Sequence, residues 1–231
     1  TVHVKLRAKE GGILQKTDTI TLTGQPFDEL PSGKCALEPG IYKSPGRSAV
    51  YHILDKCSKR PFRSSLVYFS YYKSWKEVQV VPQAVLDRVP DDALSFIPFG
   101  PLYIPKQGAL FKVISDPRVF VLIGLERHWI AGEGIFRALG YAAGWVEDVA
   151  DEVLNRFKEG PSVEHEAPVN SFISHPGSSK VYRIEIDPKD PTKKVKRWVK
   201  NEAAFKRFDF RPDRVLQIKD YGLYREGEPI E

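Results

Sequence analysis

Hydrophobic and polar residues alternate near the start of the chain, with the period of two that is typical of a half-buried β-strand. The apolar positions of this alternation are Val2, Val4, Leu6 and Ala8. A second strand is predicted over residues 17–23. We interpret residues 1–38 as an N-terminal strand pair. It could fold as a hairpin on the first module, or it could be an assembly arm that adds a strand to a neighbouring subunit.

After residue 38, a pair of aromatic residues with a spacing of seven occurs three times. The pairs are Phe62 with Phe69, Trp129 with Phe136, and Trp198 with Phe205. The first members are 67 and 69 positions apart, a near-constant period that indicates an array of supersecondary units. The chain is therefore divided into four parts: the strand arm at 1–38 and repeat modules at 39–100, 101–165 and 166–231.

Each module begins with short apolar segments separated by Ser, Pro and Gly, a pattern that predicts a β-hairpin or a three-stranded meander. Two short helices are predicted after the third strand. In the third module, residues 187–192 are an insertion that we expect to lengthen a hairpin loop. The predicted fold class is α+β, with three tandem small modules behind the N-terminal strand pair. The proline-containing linkers at 96–107 and 160–168 are expected to be semi-rigid.

The composition is that of an ordered protein, with 42% hydrophobic and 28% charged residues. No run of 18 apolar residues occurs in the sequence, so no membrane span is expected. The net charge of +5 would suit an anionic partner. However, 35 basic and 30 acidic residues are interspersed along the chain, as on an ordinary solvated surface. Nucleic-acid binding is therefore disfavoured.

The two cysteines, Cys35 and Cys57, are 22 positions apart and are predicted to form a disulfide in an oxidising compartment. The alternative is a pair of buried free thiols. The sequence contains no methionine, so we expect a processed product from which a front segment, such as a secretory signal peptide, has been removed. Both features favour a secreted protein located outside the cell or on its surface.

The second module resembles an uncharacterised tandem repeat of secreted and surface-attached bacterial proteins. The matching residues are Phe111-Lys112, 119–122, 127–130, Phe136, Gly140-Tyr141, Trp145 and Val149. The resemblance covers about residues 40–224. The other copies depart from it, since Tyr71-Tyr72 stands where Gly-Tyr is expected and Phe208-Asp209-Phe210 replaces Gly-Tyr and Trp. It implies tandem modules in an extracytoplasmic setting, with no catalytic residue attached to the pattern.

The motifs that usually carry catalysis or cofactor binding do not occur in the sequence: it has no HExxH, Walker A, GxSxG or GxGxxG pattern. The five histidines lie in different local settings. Residues 164–166, Glu-His-Glu, could hold a metal, but a solvated loop is the simpler interpretation. The prediction is therefore a protein that is not an enzyme, with no catalytic residue, metal or cofactor.

Basic and aromatic residues are adjacent in the third strand of the second and third modules. The candidate ligand-facing residues are Arg127, Trp129, Arg197 and Trp198. Such side chains can stack on sugars or bases while their charges bind phosphates or carboxylates. The alternative, which the spacing to Phe136 and Phe205 favours for the two tryptophans, is packing in the core.

The leading hypothesis is a secreted, non-enzymatic structural subunit that self-assembles into an extracellular filament or surface layer. Its partners would be other copies of the chain, in a homo-oligomer or polymer, with the N-terminal arm contacting a neighbour. The alternative is a repeat protein that binds the cell wall or another anionic glycan through exposed tryptophans. Nucleic-acid binding, the third hypothesis, would weaken steeply with salt.

Overall fold

The computed structural model describes residues 2–10 and 13–22, for which it gives the backbone, and residues 35–231. The first two segments are the strands β1 (Val2–Glu10) and β2 (Ile13–Leu22), which pair in antiparallel fashion with Val4 opposite Ile20. Within the described residues, their sheet contains no third strand.

The first module is a four-stranded sheet with the order β5-β4-β3-β6. Three antiparallel strands come first, and β6 then pairs parallel to β3. A parallel bridge between Lys59 and Asp91 extends the opposite edge. The elements are β3 (Gly40–Lys43), β4 (Val50–Ile53), β5 (Lys59–Pro61), α1 (Ser65–Phe69), a 3₁₀ turn (Trp75–Glu77), β6 (Val78–Val80) and α2 (Gln83–Leu86).

The second module repeats this topology and adds a fifth strand, in the order β10-β7-β8-β9-β11. The added strand, β11, lies parallel to β9. The elements are β7 (Leu110–Lys112), β8 (Phe120–Ile123), β9 (Glu126–Trp129), α3 (Glu133–Ala138), a 3₁₀ turn (Ala143–Trp145), β10 (Val146–Asp148), α4 (Asp151–Leu154) and β11 (Lys158–Glu159).

The third module has the equivalent strand order, β15-β12-β13-β14-β16. Both edge strands are again parallel to their neighbours. The elements are β12 (Phe172–Ser174), β13 (Val181–Asp187), β14 (Asp190–Val199), α5 (Glu202–Lys206), a 3₁₀ turn (Pro212–Arg214), β15 (Leu216–Gln217) and β16 (Arg225–Glu226).

The three sheets with their short helices confirm the mixed α and β class predicted from the sequence. Two finer predictions were wrong for the third module. Residues 166–231, all of which the structure describes, contain one α-helix rather than two. The insertion lengthens β13 and β14 rather than their loop, because Asp187 pairs opposite Asp190 and its carboxylate accepts a 2.6 Å hydrogen bond from Arg225.

The pairing of the strands shows that the predicted repeat alignment of the first module is wrong by one residue. In the third strand, Pro61 is the counterpart of Trp129 and Trp198, where Phe62 was predicted. Each lies opposite the aromatic residue of the second strand at the same position: Tyr51, Phe120 and Tyr182, respectively.

The first helix of the module shows the same shift. Tyr68, rather than Phe69, is the counterpart of Phe136 and Phe205. Each of the three donates its backbone N–H to the carbonyl of the residue just before its helix: Ser64, Gly132 and Asn201, respectively. The spacing of seven therefore holds, but an aromatic residue directly after each true position, Phe62 and Phe69, hid the register.

The second and third modules share one hydrophobic core. Leu110 and Val121 of the second module and Ile173 and Leu216 of the third are buried in the same cluster. Two glycines allow the modules to approach closely. Gly108 (φ +81°) lies against the Phe210 ring, and a Cβ on Gly140 (φ +79°) would lie 3.2 Å from the Gln217 carbonyl oxygen.

The linker between the first and second modules binds to both of them. The Phe99 N–H donates to the Asp148 carbonyl at 2.8 Å, which extends the edge of the second sheet. On the other side, the Gly100 N–H donates to the Ser70 hydroxyl at 2.6 Å, and the Leu102 N–H donates to the Ser70 carbonyl at 2.8 Å. The linker is therefore a docked segment of the fold.

The disulfide predicted between Cys35 and Cys57 is confirmed, with the two Cα atoms 5.2 Å apart. It joins the start of the first module to the turn before β5. This module has its own small clusters of buried residues, one of them formed by Tyr42, Ile53, Leu86 and Val89. A crosslink contributes a larger share of the folding stability in a domain with a small core than in one with a large core.

Among the described residues, no helix is long and apolar enough to cross a membrane.

Replacing both cysteines with serine is expected to lower the free energy of unfolding of the first module by about 3 kcal/mol, because the crosslink limits the unfolded chain. Urea unfolding of the wild-type and variant proteins measures this. A reducing agent should destabilise the wild-type protein and leave the variant unchanged. Equal stability of wild type and variant would show that the disulfide does not brace this module.

Gly108→Ala is expected to destabilise the packing between the second and third modules by roughly 3 kcal/mol, because a Cβ there overlaps the Phe210 ring. The matched control is Gly124→Ala. The backbone of Gly124 is also in the left-handed region (φ +64°), but a Cβ added there would have no neighbour within 4 Å. The control should lose only about 1 kcal/mol from backbone strain. Equal losses in urea unfolding would contradict the close packing inferred at Gly108.

Candidate functional site

An open groove on the second module is the best candidate for a binding site. It has a volume of about 540 Å³ and lies between the start of β8, the end of β9, α3 and the start of β10. Its lining is mainly apolar, which is typical of ligand and docking sites. The residues that form it include Val119, Trp129, Ile130, Phe136, Tyr141, Ala143 and Val146.

Aromatic side chains form the walls of the groove. Trp129 stands at the end of β9, opposite Phe120, and is partly exposed. Phe136 is placed by the first turn of α3, and its ring centroid lies 5.5 Å from that of Tyr141. Tyr141 is buried, which raises the pKa of its hydroxyl. The groove can therefore hold a flat apolar group against aromatic rings.

Small residues keep the groove open. Gly132, which precedes α3, has a φ of +97° and carries no side chain that could cap the helix or fill the space. Ala143 begins the 3₁₀ turn on the other side and is exposed.

The charged side chains at the rim are already paired with one another. Arg118 binds the Asp116 carboxylate at 2.7 Å, and hydrogen bonds from Arg118 lower the pKa of that carboxyl. Arg137 binds Glu133 at 2.5 Å, one turn earlier on α3. Because these charges are neutralised locally, the rim favours an uncharged occupant.

The third module has a similar groove of about 410 Å³ in the equivalent place. Trp198 and Phe205 line it, and the Lys180 ammonium lies 4.6 Å from the centroid of the Trp198 ring. The two tryptophans among the candidate ligand-facing residues, Trp129 and Trp198, therefore both line grooves.

The two arginines among those candidates make contacts inside their own modules. Arg127 donates to the Leu154 carbonyl at 2.6 Å, at the last residue of α4. Arg197 donates to the Glu228 carbonyl and binds Glu185 at 2.8 Å. Neither lines the groove of its module. The structure thus does not bring the four candidates together into one site.

The position of Arg127 has the same role in all three modules. Lys59 donates to the carbonyls of Leu86 and Val89 in the first module, and Lys196 donates to that of Tyr221 in the third. A basic side chain thus satisfies carbonyls of the segment that crosses to the far edge of the sheet. All three basic residues therefore bind within their own module, and of these only Arg127 was a candidate ligand-facing residue.

In the first module, Arg60, the residue after Lys59 on the third strand, is bound by the Asp92 carboxylate. Asp92 accepts hydrogen bonds from the Leu94 N–H at 2.9 Å, Arg60 at 2.7 Å and the Ser58 hydroxyl at 2.9 Å. These bonds lower the pKa of Asp92 to about 2, the one from the Leu94 backbone contributing most. The carboxylate therefore fixes β5 to the segment that returns beside it.

A polar cluster that sequence reasoning missed joins the linker to two modules. The Tyr103 hydroxyl donates to Glu147 at 2.5 Å, and Arg211 of the third module binds the other oxygen of the same carboxylate. Burial and the bond to Glu147 raise the pKa of Tyr103. Nothing in the local sequence indicated this cluster, because its members come from three distant segments.

Two further predictions concern the N-terminal arm and metal binding. Val2, Val4, Leu6 and Ala8 lie in β1, for which only the backbone is described. Within the described ranges, no group of three or more His, Cys, Asp or Glu side chains could hold a metal ion.

Comparisons with known proteins add little. No family model and no curated protein match the chain. One solved structure to which it is similar is a chain of the periplasmic assembly of the ESX-5 inner membrane complex, at 12% identity over 72% of this chain and with a TM-score of 0.21. The match spans 53% of that chain, about half its length. A likeness of this size carries no argument about fold or function.

Asp92→Asn is expected to destabilise the first module at pH 7, where the carboxylate is ionised. A carboxyl whose pKa is lowered by folding stabilises the folded state above its unfolded pKa, about 3.9, and loses that effect as pH falls towards the folded value. The difference in melting temperature between wild type and variant should therefore shrink below about pH 4 and vanish below pH 2.

Asp91→Asn is the matched control, because the Asp91 side chain is 82% exposed and lies 3.6 Å from Lys59. It should change the melting temperature little at any pH. A wild-type minus Asp92→Asn difference that stays constant from pH 7 to pH 2 would contradict the role assigned to this carboxylate.

Proposed function

We propose that this chain is a non-enzymatic structural subunit that acts outside the cytoplasm and self-assembles into a filament or surface layer. The N-terminal hairpin would be the arm that contacts a neighbouring copy. The observation that carries this proposal is the hairpin itself, which in the described part of the chain pairs with no other strand.

The physical argument rests on the unpaired edges of that hairpin. Its strands are nine and ten residues long, so each outer edge presents a long row of backbone donors and acceptors. A two-stranded hairpin alone is marginally stable in water, and an exposed edge is a template for another strand. An edge supplied by a second copy would satisfy these groups and produce a head-to-tail contact that propagates.

The docking of the modules supports a structural role. The shared core of the second and third modules and the docked linker would give a subunit of fixed shape, and an ordered array needs subunits of fixed shape. The basic residues that might have served a catalytic or ligand site, Lys59, Arg127 and Lys196, instead bind carbonyls within their modules.

The disulfide supports the proposed location outside the cytoplasm. Disulfides persist in oxidising compartments and are uncommon in the cytosol. The bond between Cys35 and Cys57 is therefore what a protein of the cell envelope or the extracellular space is expected to contain.

The test is negative-stain electron microscopy of the full chain beside a version that lacks residues 1–22. The full chain should form regular fibres or sheets, and the truncated chain should give single particles. Circular dichroism should show that the truncated chain remains folded, since residues 35–231 contain all three module sheets. Discrete particles in both samples, over a wide range of protein concentration, would contradict the proposal.

The second candidate function is glycan binding, which the aromatic groove of the second module favours. Trp129 is partly exposed there, and tryptophan rings bind the apolar faces of sugars. Quenching of tryptophan fluorescence by cell-wall oligosaccharides, lost in Trp129→Ala, would support this function. The paired charges at the rim leave few groups for sugar hydroxyls, so it ranks second.

A further inference from the structure

The first module shows what the groove of the second module can hold. The first residue of the 3₁₀ turn is Trp75 in the first module, Ala143 in the second and Pro212 in the third. The Trp75 ring stacks on Tyr68, with centroids 4.2 Å apart and planes 17° apart. Tyr68 is the counterpart of Phe136, which lines the open groove.

The tryptophan changes the exposure of the residue beneath it. Tyr68 has an exposed fraction of 0%, whereas Phe136 and Phe205 remain partly exposed. The Trp75 ring thus fills the part of the equivalent space that lies against Tyr68, and the first module keeps a groove of about 420 Å³ beside that ring. A flat apolar side chain therefore fits the equivalent part of the groove in the second module.

The first module also carries an exposed apolar surface that its counterparts lack. We call Leu66, Phe69 and Trp75 the apolar patch; they are 72%, 40% and 48% exposed, respectively. Phe69 and Trp75 are in edge contact, with ring centroids 4.9 Å apart.

Equivalent positions on the three helices are found by counting from the residue before each helix. In the other two modules these positions hold small or charged residues. Leu66 corresponds to Gly134 and Ala203, and Phe69 corresponds to Arg137 and Lys206. The fold of a module therefore does not require apolar residues there. Exposed apolar residues that the fold does not need indicate an interaction surface.

We propose that the groove of the second module receives the apolar patch of a second copy of this chain. This inference rests on the proposed self-assembly and names one of its contacts. Within a single copy the two surfaces do not meet, since no residue of the first module lines the groove.

A second copy is favoured over other occupants for two reasons. The patch and the groove are complementary, and they belong to different modules of one chain. Their contact is therefore heterologous and leaves a free patch at one end and a free groove at the other, as a growing filament requires. A sugar is disfavoured because the charged side chains Arg118, Glu133 and Arg137 are already paired.

Ala143→Trp tests the groove, since it puts into the second module the residue that covers the equivalent ring, Tyr68, in the first. Ala143 is exposed, so the substitution does not disturb the core. Phe69→Lys tests the patch with the residue that the third module has at this position, Lys206. Leu125→Ala is the control, because Leu125 is 82% exposed and lies outside both surfaces.

Sedimentation velocity of these proteins across a range of concentrations measures assembly. Wild type and Leu125→Ala should form large species, and Ala143→Trp and Phe69→Lys should each associate at least tenfold more weakly while keeping the wild-type circular dichroism. Mixing the two variants in equal amounts should give a species larger than either alone, because one supplies an intact patch and the other an intact groove.

Two results would overturn the inference and leave self-assembly standing. The first is equal assembly of both variants and wild type. The second is unchanged assembly of Ala143→Trp with loss of oligosaccharide binding, which would make the groove a glycan site. Failure of the wild-type protein to assemble at any concentration would overturn both the proposed function and this contact.

Discussion

The apolar core shared by the second and third modules is the interaction on which the rest of the structure depends. A domain of about 60 residues buries too little surface to be comfortably stable by itself. Here Phe210 of the third module packs against Gly108 of the second, and the Gln217 backbone closes on Gly140. The two modules thereby act as one larger domain. The first module is joined to them by the docked linker and is braced by its own disulfide.

Within each module, one basic residue of the third strand binds the returning chain. Lys59, Arg127 and Lys196 all bind carbonyls of the segment that crosses to the far edge. The three modules therefore share one sheet topology, whereas their surface residues differ. The differences are concentrated on the first helix and at the 3₁₀ turn. There Trp75 covers the Tyr68 ring, whereas Ala143 leaves the equivalent ring, Phe136, open to the groove. In this account, one architecture supplies both halves of a contact between copies.

The sequence was sufficient to predict the repeat, the disulfide and the mixed class of fold, because aromatic spacing and cysteine pairing are local signals. It could not give the parallel edge strands, because they are only two or three residues long, too short for any periodicity. These strands are β6, β10, β11, β15 and β16. The register of the first module was missed by one residue because Phe62 and Phe69 directly follow the true positions. The groove was not predicted either, since its open space depends on the small size of the Ala143 side chain.

The most direct test of the proposed contact is site-specific photo-crosslinking of the assembled protein with benzoylphenylalanine in place of Phe69, an aromatic residue of the apolar patch that is 40% exposed. Mass spectrometry would then identify the residues attached to it. We expect crosslinks between copies that map to residues 117–146, around Trp129, Phe136 and Ala143. Crosslinks confined to the same chain, or between copies but to other segments, would contradict the proposed contact.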